Sequence, residues 1–204
     1  MRLDNVPICK GSFALPQPDH ISALPVANPE ALDEDLQELF ALCTEKLGIV
    51  PNVLRAYGLR PQNLRNFVAM YNELMLAPSG LSKLEREMVA VVVSSANRCY
   101  YCLVAHGQAV RRLSGDAELG EMLVMNYRVA PLDPRRRTML DFAWKLTTAP
   151  ATIGEEDRAE LRRAGLGDKD IFDLADTAAF FNMSNRMASG LDIIPNHEYH
   201  RWDR

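Results

Sequence analysis

The sequence predicts an all-α protein: a single domain of roughly eight helices with an extended N-terminal arm. Three observations support this fold class. Apolar residues recur at helical spacing, capping residues precede these stretches, and proline or glycine separates them. No segment alternates apolar and polar residues around a hairpin turn, as a half-buried strand would. The chain has 204 residues, enough for one core without disulfides or metals to stabilise it.

The N-terminal elements follow from proline and glycine positions. Residues 1–28 contain four prolines, too many for a helix, and are predicted to form the extended arm. The first helix is predicted to begin at Pro29, with Asn28 as its cap, and to end at Gly48. A short helix is expected between Pro51 and the next glycine.

The remaining helices follow from capping and periodicity. Apolar residues over 61–77 form one helical face, and Ser82 with Glu85 forms a capping box that begins the next helix. The apolar run over 89–93 fits a strand or a buried helix by periodicity, and the capping box before it favours the helix. Further helices are predicted at residues 99–113, 116–127, 133–148, 155–164 and 168–189.

These boundaries divide the chain into three parts. Residues 29–190 form the predicted helical domain, between the arm and a C-terminal tail over 191–204. The tail contains His197 and His200, spaced like a pair of metal ligands, but its aromatic and basic residues favour a docking segment.

Composition narrows the range of functions. The formal net charge is −4 and the hydrophobic content 48%, which argues against a nucleic-acid partner, an anionic membrane surface and a disordered chain. The longest apolar run is far shorter than the roughly 20 residues that a membrane span needs. The N-terminus lacks a continuous apolar signal segment, so a cytoplasmic location is expected. In a reducing compartment, a C-x-x-C pair is more often redox-active or metal-binding than a permanent disulfide.

Such a pair is present at Cys99 and Cys102, and His106 follows four residues later. On a helix that begins near Asn97, these three side chains share one face. The unpaired N–H groups and the dipole of a first helical turn favour a thiolate, which is the reactive form of cysteine. Glu87 lies about 22 Å from Cys102 on a straight helix, so it joins the site only if the chain turns, most plausibly within residues 94–97.

The spacing suggests distinct roles for the four residues. Cys102, one turn from His106, is the better candidate for a nucleophile that attacks a peroxide. Cys99 is placed to resolve the resulting sulfenic acid as a disulfide. Glu87 would orient His106 and stabilise its charged form. No cofactor and no metal are expected, because zinc usually takes four ligands and only His106 lies near the cysteines in sequence.

Two other interpretations stay open at this point. The cysteine pair could serve a thiol–disulfide oxidoreductase that acts on a partner protein. Alternatively, both cysteines could be structural, in a non-catalytic oligomeric or metal-binding module.

The pattern Glu-x11-Cys-x2-Cys-x3-His at Glu87, Cys99, Cys102 and His106 resembles the alkylhydroperoxidase-D-like family, within the carboxymuconolactone decarboxylase superfamily. The nearest branch is the uncharacterised peroxidase-related group, and the likeness spans most of residues 30–200. It includes Lys46-Leu47-Gly48, Pro51-Asn52-Val53, Leu81 to Ala109, Phe181-Asn182, Asn185-Arg186, Pro195 and Glu198-Tyr199.

The resemblance implies an all-α homo-oligomer that reduces hydroperoxides and is recharged by an external thiol or a lipoyl-type carrier. It implies that Cys102 is the peroxidatic cysteine, that Cys99 resolves it, and that Glu87 and His106 relay protons. One position departs from the pattern. The best-studied members carry an additional histidine directly before the second cysteine, where this chain has Tyr101.

Overall fold

The computed structural model describes residues 17–204, and the regular structure in this part of the chain is entirely helical. Its nine α-helices are α1 (Glu34–Leu47), α2 (Asn52–Tyr57), α3 (Pro61–Leu76), α4 (Lys83–Asn97), α5 (Tyr100–Ser114), α6 (Ala117–Asn126), α7 (Pro134–Thr148), α8 (Glu155–Arg163) and α9 (Asp168–Gly190). The all-α prediction is confirmed. Residues 1–16, which include Cys9 and most of the predicted arm, lie outside the described residues.

The first helix begins later than the sequence predicts. Pro29–Ala31 form a separate 3-10 turn capped by Asn28, and α1 starts only at Glu34. The guanidinium of Arg65 binds the carboxylates of Asp33 at 2.5 Å and Asp35 at 2.6 Å, which ties the start of α1 to α3. The extended backbone of Leu32 separates this turn from α1, so the cap at Asn28 belongs to the turn and not to α1.

Helix α4 forms the centre of the molecule, packed against α5, α6, α7 and α9. It starts with the predicted capping box: the Ser82 hydroxyl accepts a hydrogen bond from the Glu85 N–H at 3.2 Å, and the Glu85 carboxylate accepts one from the Ser82 N–H at 2.8 Å. The valine-rich run over 89–93 is fully buried within this helix. A buried helix, and not a strand, is therefore confirmed here.

The turn between α4 and α5 positions the cysteine motif. Arg98 takes a left-handed conformation with φ 54°, and the Cys99 N–H donates to the Ser94 carbonyl at 3.0 Å. The predicted turn within residues 94–97 is therefore misplaced by one residue, because α4 continues to Asn97. The two helices pack against each other as a hairpin.

The C-terminal tail packs onto its own chain. The Ile194 N–H donates to the Ile21 carbonyl at 3.0 Å, which joins the tail to the described part of the arm. The buried guanidinium of Arg111 on α5 donates to the carbonyls of Tyr199 and Trp202 at 3.0 and 3.1 Å. Across residues 17–204, no helix has the length and apolar character needed to cross a membrane.

Candidate active site

The two cysteines of the C-x-x-C motif meet at the start of α5. Cys99 is the N-cap residue, and Cys102 lies one turn into the helix. This places Cys99 just outside the helix, whereas the sequence placed it inside. The two sulfur atoms lie 2.8 Å apart and share an S–H hydrogen bond, and both residues are free thiols with only 1% of their surface exposed.

An apolar shell separates the sulfurs from water. It combines residues of α2, α5, the end of α9 and the segment that follows α9: Val53, Ala56, Tyr101, Ala105, Ala188, Leu191 and Ile193. The site is therefore an enclosed dithiol, in which direct contacts to each sulfur matter more than they would in water.

The two thiols differ in acidity. The pKa of Cys99 lies below its usual value, because the Cys102 thiol donates a hydrogen bond to it. The Cys102 backbone N–H and a charged His106 act in the same direction. The pKa of Cys102 lies well above its usual value, because its proton is held by Cys99 and because the group is buried. The pair thus loses a first proton readily and a second one reluctantly.

The sequence predicts that the helix N-terminus favours a thiolate at either cysteine. It selects Cys102 as the nucleophile because His106 lies one turn away. The pKa of Cys99, the N-cap residue of α5, is lowered, whereas that of Cys102 is raised. The roles of attacking and resolving cysteine remain predictions.

Glu87 reaches the site across the α4–α5 hairpin. Its carboxylate accepts a hydrogen bond from Nδ1 of His106 at 2.7 Å, and the two side chains are only 10% and 13% exposed. The His106 ring packs nearly perpendicular to that of Phe181 of α9, with the ring centres 4.6 Å apart. Because a carboxylate only accepts, Nδ1 carries a proton, and Nε2 is the ring nitrogen that remains to face the site.

The structure adds polar residues that the sequence interpretation did not select. Ser94 of α4 and Asn185 of α9 both lower the pKa of Cys102 through hydrogen bonds, and Ser189 does so for Cys99. Asn185 donates from Nδ2 to the Ser94 hydroxyl at 3.0 Å. One signal was available, because Asn185 and Ser189 lie one turn apart on the same face of the predicted helix over residues 168–189.

The other histidines lie outside this group. His200 contacts Gln17 of the arm, with Nε2 3.0 Å from the amide oxygen, and His197 contacts the same side chain. In the part of the chain from residue 17 onward, no three histidine, cysteine, aspartate or glutamate side chains are grouped to hold a metal ion.

A helical fold that encloses a cysteine pair, with a carboxylate–histidine pair beside it, defines a class of proteins. Similarity to known families and structures identifies this class. A sequence model of the carboxymuconolactone decarboxylase family matches residues 61–143, which include all four site residues. A comparison with curated proteins gives no match.

Solved structures extend the likeness to nearly the whole chain. An uncharacterized peroxidase-related protein from Silicibacter sp. TM1040 is 58% identical, with 94% of this chain and 100% of that one covered and a TM-score of 0.89. A protein from Ralstonia eutropha JMP134, described as an alkylhydroperoxidase AhpD core, is 40% identical, with 91% and 97% covered and a TM-score of 0.89. The debrominase Bmp8, at 19% identity and a TM-score of 0.73 over 90% and 96% of the chains, shares the fold.

The chain therefore belongs to the carboxymuconolactone decarboxylase family, among its alkylhydroperoxidase-D-like members. The family resemblance seen in the sequence is confirmed.

Proposed function

We propose that this protein is an antioxidant peroxidase that reduces organic hydroperoxides or hydrogen peroxide with the dithiol of Cys99 and Cys102. One observation carries the proposal. Two free, buried sulfurs lie 2.8 Å apart, at the start of the helix that also carries the Glu87-bound imidazole of His106. The names of the similar proteins from Silicibacter and Ralstonia, both peroxidase-related, support the same reaction class.

The first step is attack on the peroxide. With one proton removed, the pair shares the other across the S–H hydrogen bond, so transfer of that proton to Cys99 leaves a thiolate on Cys102. This thiolate attacks the terminal oxygen of ROOH: the S–O bond forms, the O–O bond breaks, and the leaving alkoxide takes a proton to become ROH. Nε2 of His106, with Glu87 behind the ring, accepts the first thiol proton and returns it to the alkoxide.

The second step closes the disulfide. Cys99 loses its proton and attacks the sulfenic sulfur of Cys102. The S–S bond forms, the S–O bond breaks, and the oxygen leaves as water. The sum is ROOH plus two thiols giving ROH, water and one disulfide. An external thiol or lipoyl-type dithiol then returns two electrons and two protons by exchange with the disulfide.

Tyr101 takes no part in this proton route. It occupies the position where the best-studied members of the resembled family have a histidine. Burial raises its pKa well above the usual value, so its hydroxyl stays protonated at neutral pH. That hydroxyl accepts a hydrogen bond from the Val53 N–H at 3.3 Å, which assigns it to packing between α5 and α2. The proposed relay therefore consists of Glu87 and His106.

The test is a thiol count with peptide mapping, on reduced, metal-free protein before and after one equivalent of an organic hydroperoxide. We expect two thiols to disappear and to map to a Cys99–Cys102 disulfide. Cys43 is an internal control, because burial raises its pKa and keeps it a thiol. Cys102→Ser should abolish turnover, whereas Cys99→Ser should allow one attack and stop at the sulfenic acid.

Other outcomes select the alternatives. Disulfide exchange with a partner protein, together with thiols that survive peroxide, would identify a thiol–disulfide oxidoreductase. Stoichiometric zinc with unreactive thiols would identify a structural or metal-binding module. We also propose a homo-oligomer, and a light-scattering mass equal to the 22.9 kDa monomer at micromolar concentration would contradict it.

A further inference from the structure

Side chains of α9 hold the end of α4, next to the turn that carries the chain to Cys99. Asn97, the last residue of α4, donates from Nδ2 to Oδ1 of Asn182 at 3.0 Å and to Oδ1 of Asn185 at 2.9 Å. Both Nδ2 hydrogens of Asn97 therefore bind α9. Asn97, Asn182 and Asn185 together form an asparagine clamp between the two helices.

The other partners of Asn182 fix the orientation of its amide. Its Nδ2 donates to the Ala178 carbonyl at 3.0 Å, and a carbonyl only accepts. Its Oδ1 accepts from the Arg186 guanidinium at 2.9 Å, and a guanidinium only donates. The oxygen of Asn182 must therefore face Asn97, which presents its amide hydrogens.

The amide of Asn185 is oriented independently, from the side of α4. The Ser94 hydroxyl donates to the Ala90 carbonyl at 2.6 Å, so its oxygen is left to accept from Nδ2 of Asn185, at 3.0 Å. The Asn185 oxygen then serves Asn97. Because Asn185 is only 1% exposed, these contacts are shielded from water. A single side chain of α9 thus binds α4 at both Ser94 and Asn97.

The residue that follows the clamp has an unfavourable backbone conformation. Arg98 is left-handed, with φ 54°, and such a conformation persists in a non-glycine residue only where surrounding contacts enforce it. Cys99 then donates its N–H to the Ser94 carbonyl at 3.0 Å. The residue that receives Cys99 is therefore the one that Asn185 binds, so contacts to α9 lie on both sides of Arg98.

We propose that the asparagine clamp holds the turn at Arg98 closed and thereby keeps the sulfur of Cys99 within reach of Cys102. The inference deepens the proposed function and rests on it for its purpose, since the proposed resolving step joins these two sulfurs. In the dithiol they lie 2.8 Å apart, so little movement is needed to form the disulfide. Asn97 acts through the backbone of the turn and is a positioning residue.

The clamp should matter more to the disulfide than to the dithiol. Without it, Arg98 of the dithiol is free to leave the left-handed region, and Cys99 can then move away from Cys102. The disulfide does not have this freedom, because its geometry requires the two residues to stay close. Loss of the clamp therefore favours the dithiol over the disulfide.

The test is the thiol–disulfide equilibrium of the pair in mixtures of reduced and oxidised dithiothreitol, without peroxide. As the Cys99–Cys102 disulfide forms, two electrons and two protons pass to oxidised dithiothreitol. Acid quenching, alkylation and peptide mapping give the oxidised fraction in the full chain. Asn97→Ala should lower the equilibrium constant for disulfide formation about tenfold, which makes the reduction potential about 30 mV less negative.

Two further variants separate positioning from simple loosening of the fold. Arg98→Gly, added to Asn97→Ala, should recover most of the lost equilibrium constant, because glycine adopts a positive φ without the steric cost. Glycine would not repair a fold that is loosened in general. Asn66→Ala, the control, removes an exposed asparagine of α3 that accepts from Gln62 at 3.0 Å, and it should leave the equilibrium unchanged.

Several results would overturn the inference. They are an unchanged equilibrium constant in Asn97→Ala, a loss that Arg98→Gly does not reduce, an equal loss in Asn66→Ala, and a wild-type pair that stays reduced in oxidised dithiothreitol.

The outcomes also distinguish this inference from the proposed function. A loss in Asn97→Ala that glycine repairs, in a protein whose thiols survive peroxide, would sustain the clamp and remove the peroxidase. Thiols that peroxide consumes, with an unchanged equilibrium constant in Asn97→Ala, would remove the role of the clamp alone.

Discussion

Two contacts of the same length between a carboxylate and a nitrogen base lie in opposite surroundings, one buried and one exposed. The Glu87 carboxylate lies 2.7 Å from Nδ1 of His106, with side chains 10% and 13% exposed. The Glu155 carboxylate lies 2.7 Å from the Arg162 guanidinium, with side chains 69% and 46% exposed. Water and salt compete with the second pair and barely reach the first. Contact length alone therefore does not show how strong such a pair is. Burial decides whether the pair can orient a catalytic group.

The difference comes from the position of the helices. Helices α4 and α5 pack against each other at the centre, so Glu87 and His106 face protein on most sides. Helix α8 lies at the edge against α7 and α9, with Leu161 buried and its charged residues toward solvent. On α8, carboxylates in the first turn and arginines in the last follow the helix dipole and stabilise the helix locally.

The largest expected effect is on the rate of thiol oxidation, and it follows from neutralising Glu87. Glu87→Gln keeps an oxygen for His106 but removes the charge that favours a protonated imidazole. We expect about a hundredfold slower loss of the Cys99 and Cys102 thiols on mixing with hydroperoxide, within the range for one proton-transfer group. Glu155→Gln, the matched control, should react at the wild-type rate. Equal rates in both variants would contradict the proton route through His106.

The sequence could predict the features of this fold that depend on neighbouring residues. Ser82 and Glu85 cap α4 through neighbouring residues, and proline and glycine mark most boundaries, so local chemistry was sufficient for the fold class. The contact between Glu87 and His106 was also predictable from the sequence, because it requires only one reversal of the chain between two consecutive helices.

The backbone conformation of the turn between α4 and α5 was not predictable from the sequence. Arg98 takes a left-handed conformation that costs a non-glycine residue roughly 1–2 kcal/mol, and the packed α4–α5 hairpin sustains it. The Asn185 contact is more distant still, since Asn185 and Ser94 are 91 residues apart. Their meeting depends on how α9 packs against α4, which no local pattern specifies.

A second prediction compares stability in the two regions. Leu174 of α9 is fully buried in the core, and Leu174→Ala should lower the free energy of unfolding by about 3 kcal/mol, through lost burial and the cavity left behind. Arg162→Ala on α8 should leave the urea midpoint close to the wild-type value, because its partners are exposed. A comparable loss in both variants would show that the surface pairs of α8 contribute as much as the core.

The smallest expected effect is a pH-dependent one at the junction of α7 and α8. The Lys145 amine donates to Asp157 at 2.5 Å, and the Gly154 N–H donates to the same carboxylate at 2.8 Å. The hydrogen bond from Lys145 comes first among the causes that hold the pKa of Asp157 below its usual value. The folded state thus favours the ionised form. Its stabilising contribution is full above about pH 5 and fades as the pH falls below about 4, through the folded pKa.

Asp157→Asn removes this contribution at every pH. The Tm of the variant should therefore lie slightly below that of the wild type near neutral pH, and the two values should converge in acid. Lys145→Met, which removes the main donor, should give the same pH dependence. A gap that stays constant down to about pH 2 would mean that Asp157 acts through its shape and its acceptor for the Gly154 N–H, and not through its charge. Charge would then matter at the buried pair of Glu87 and His106 and not at this half-buried junction, which would sharpen the contrast between the two regions.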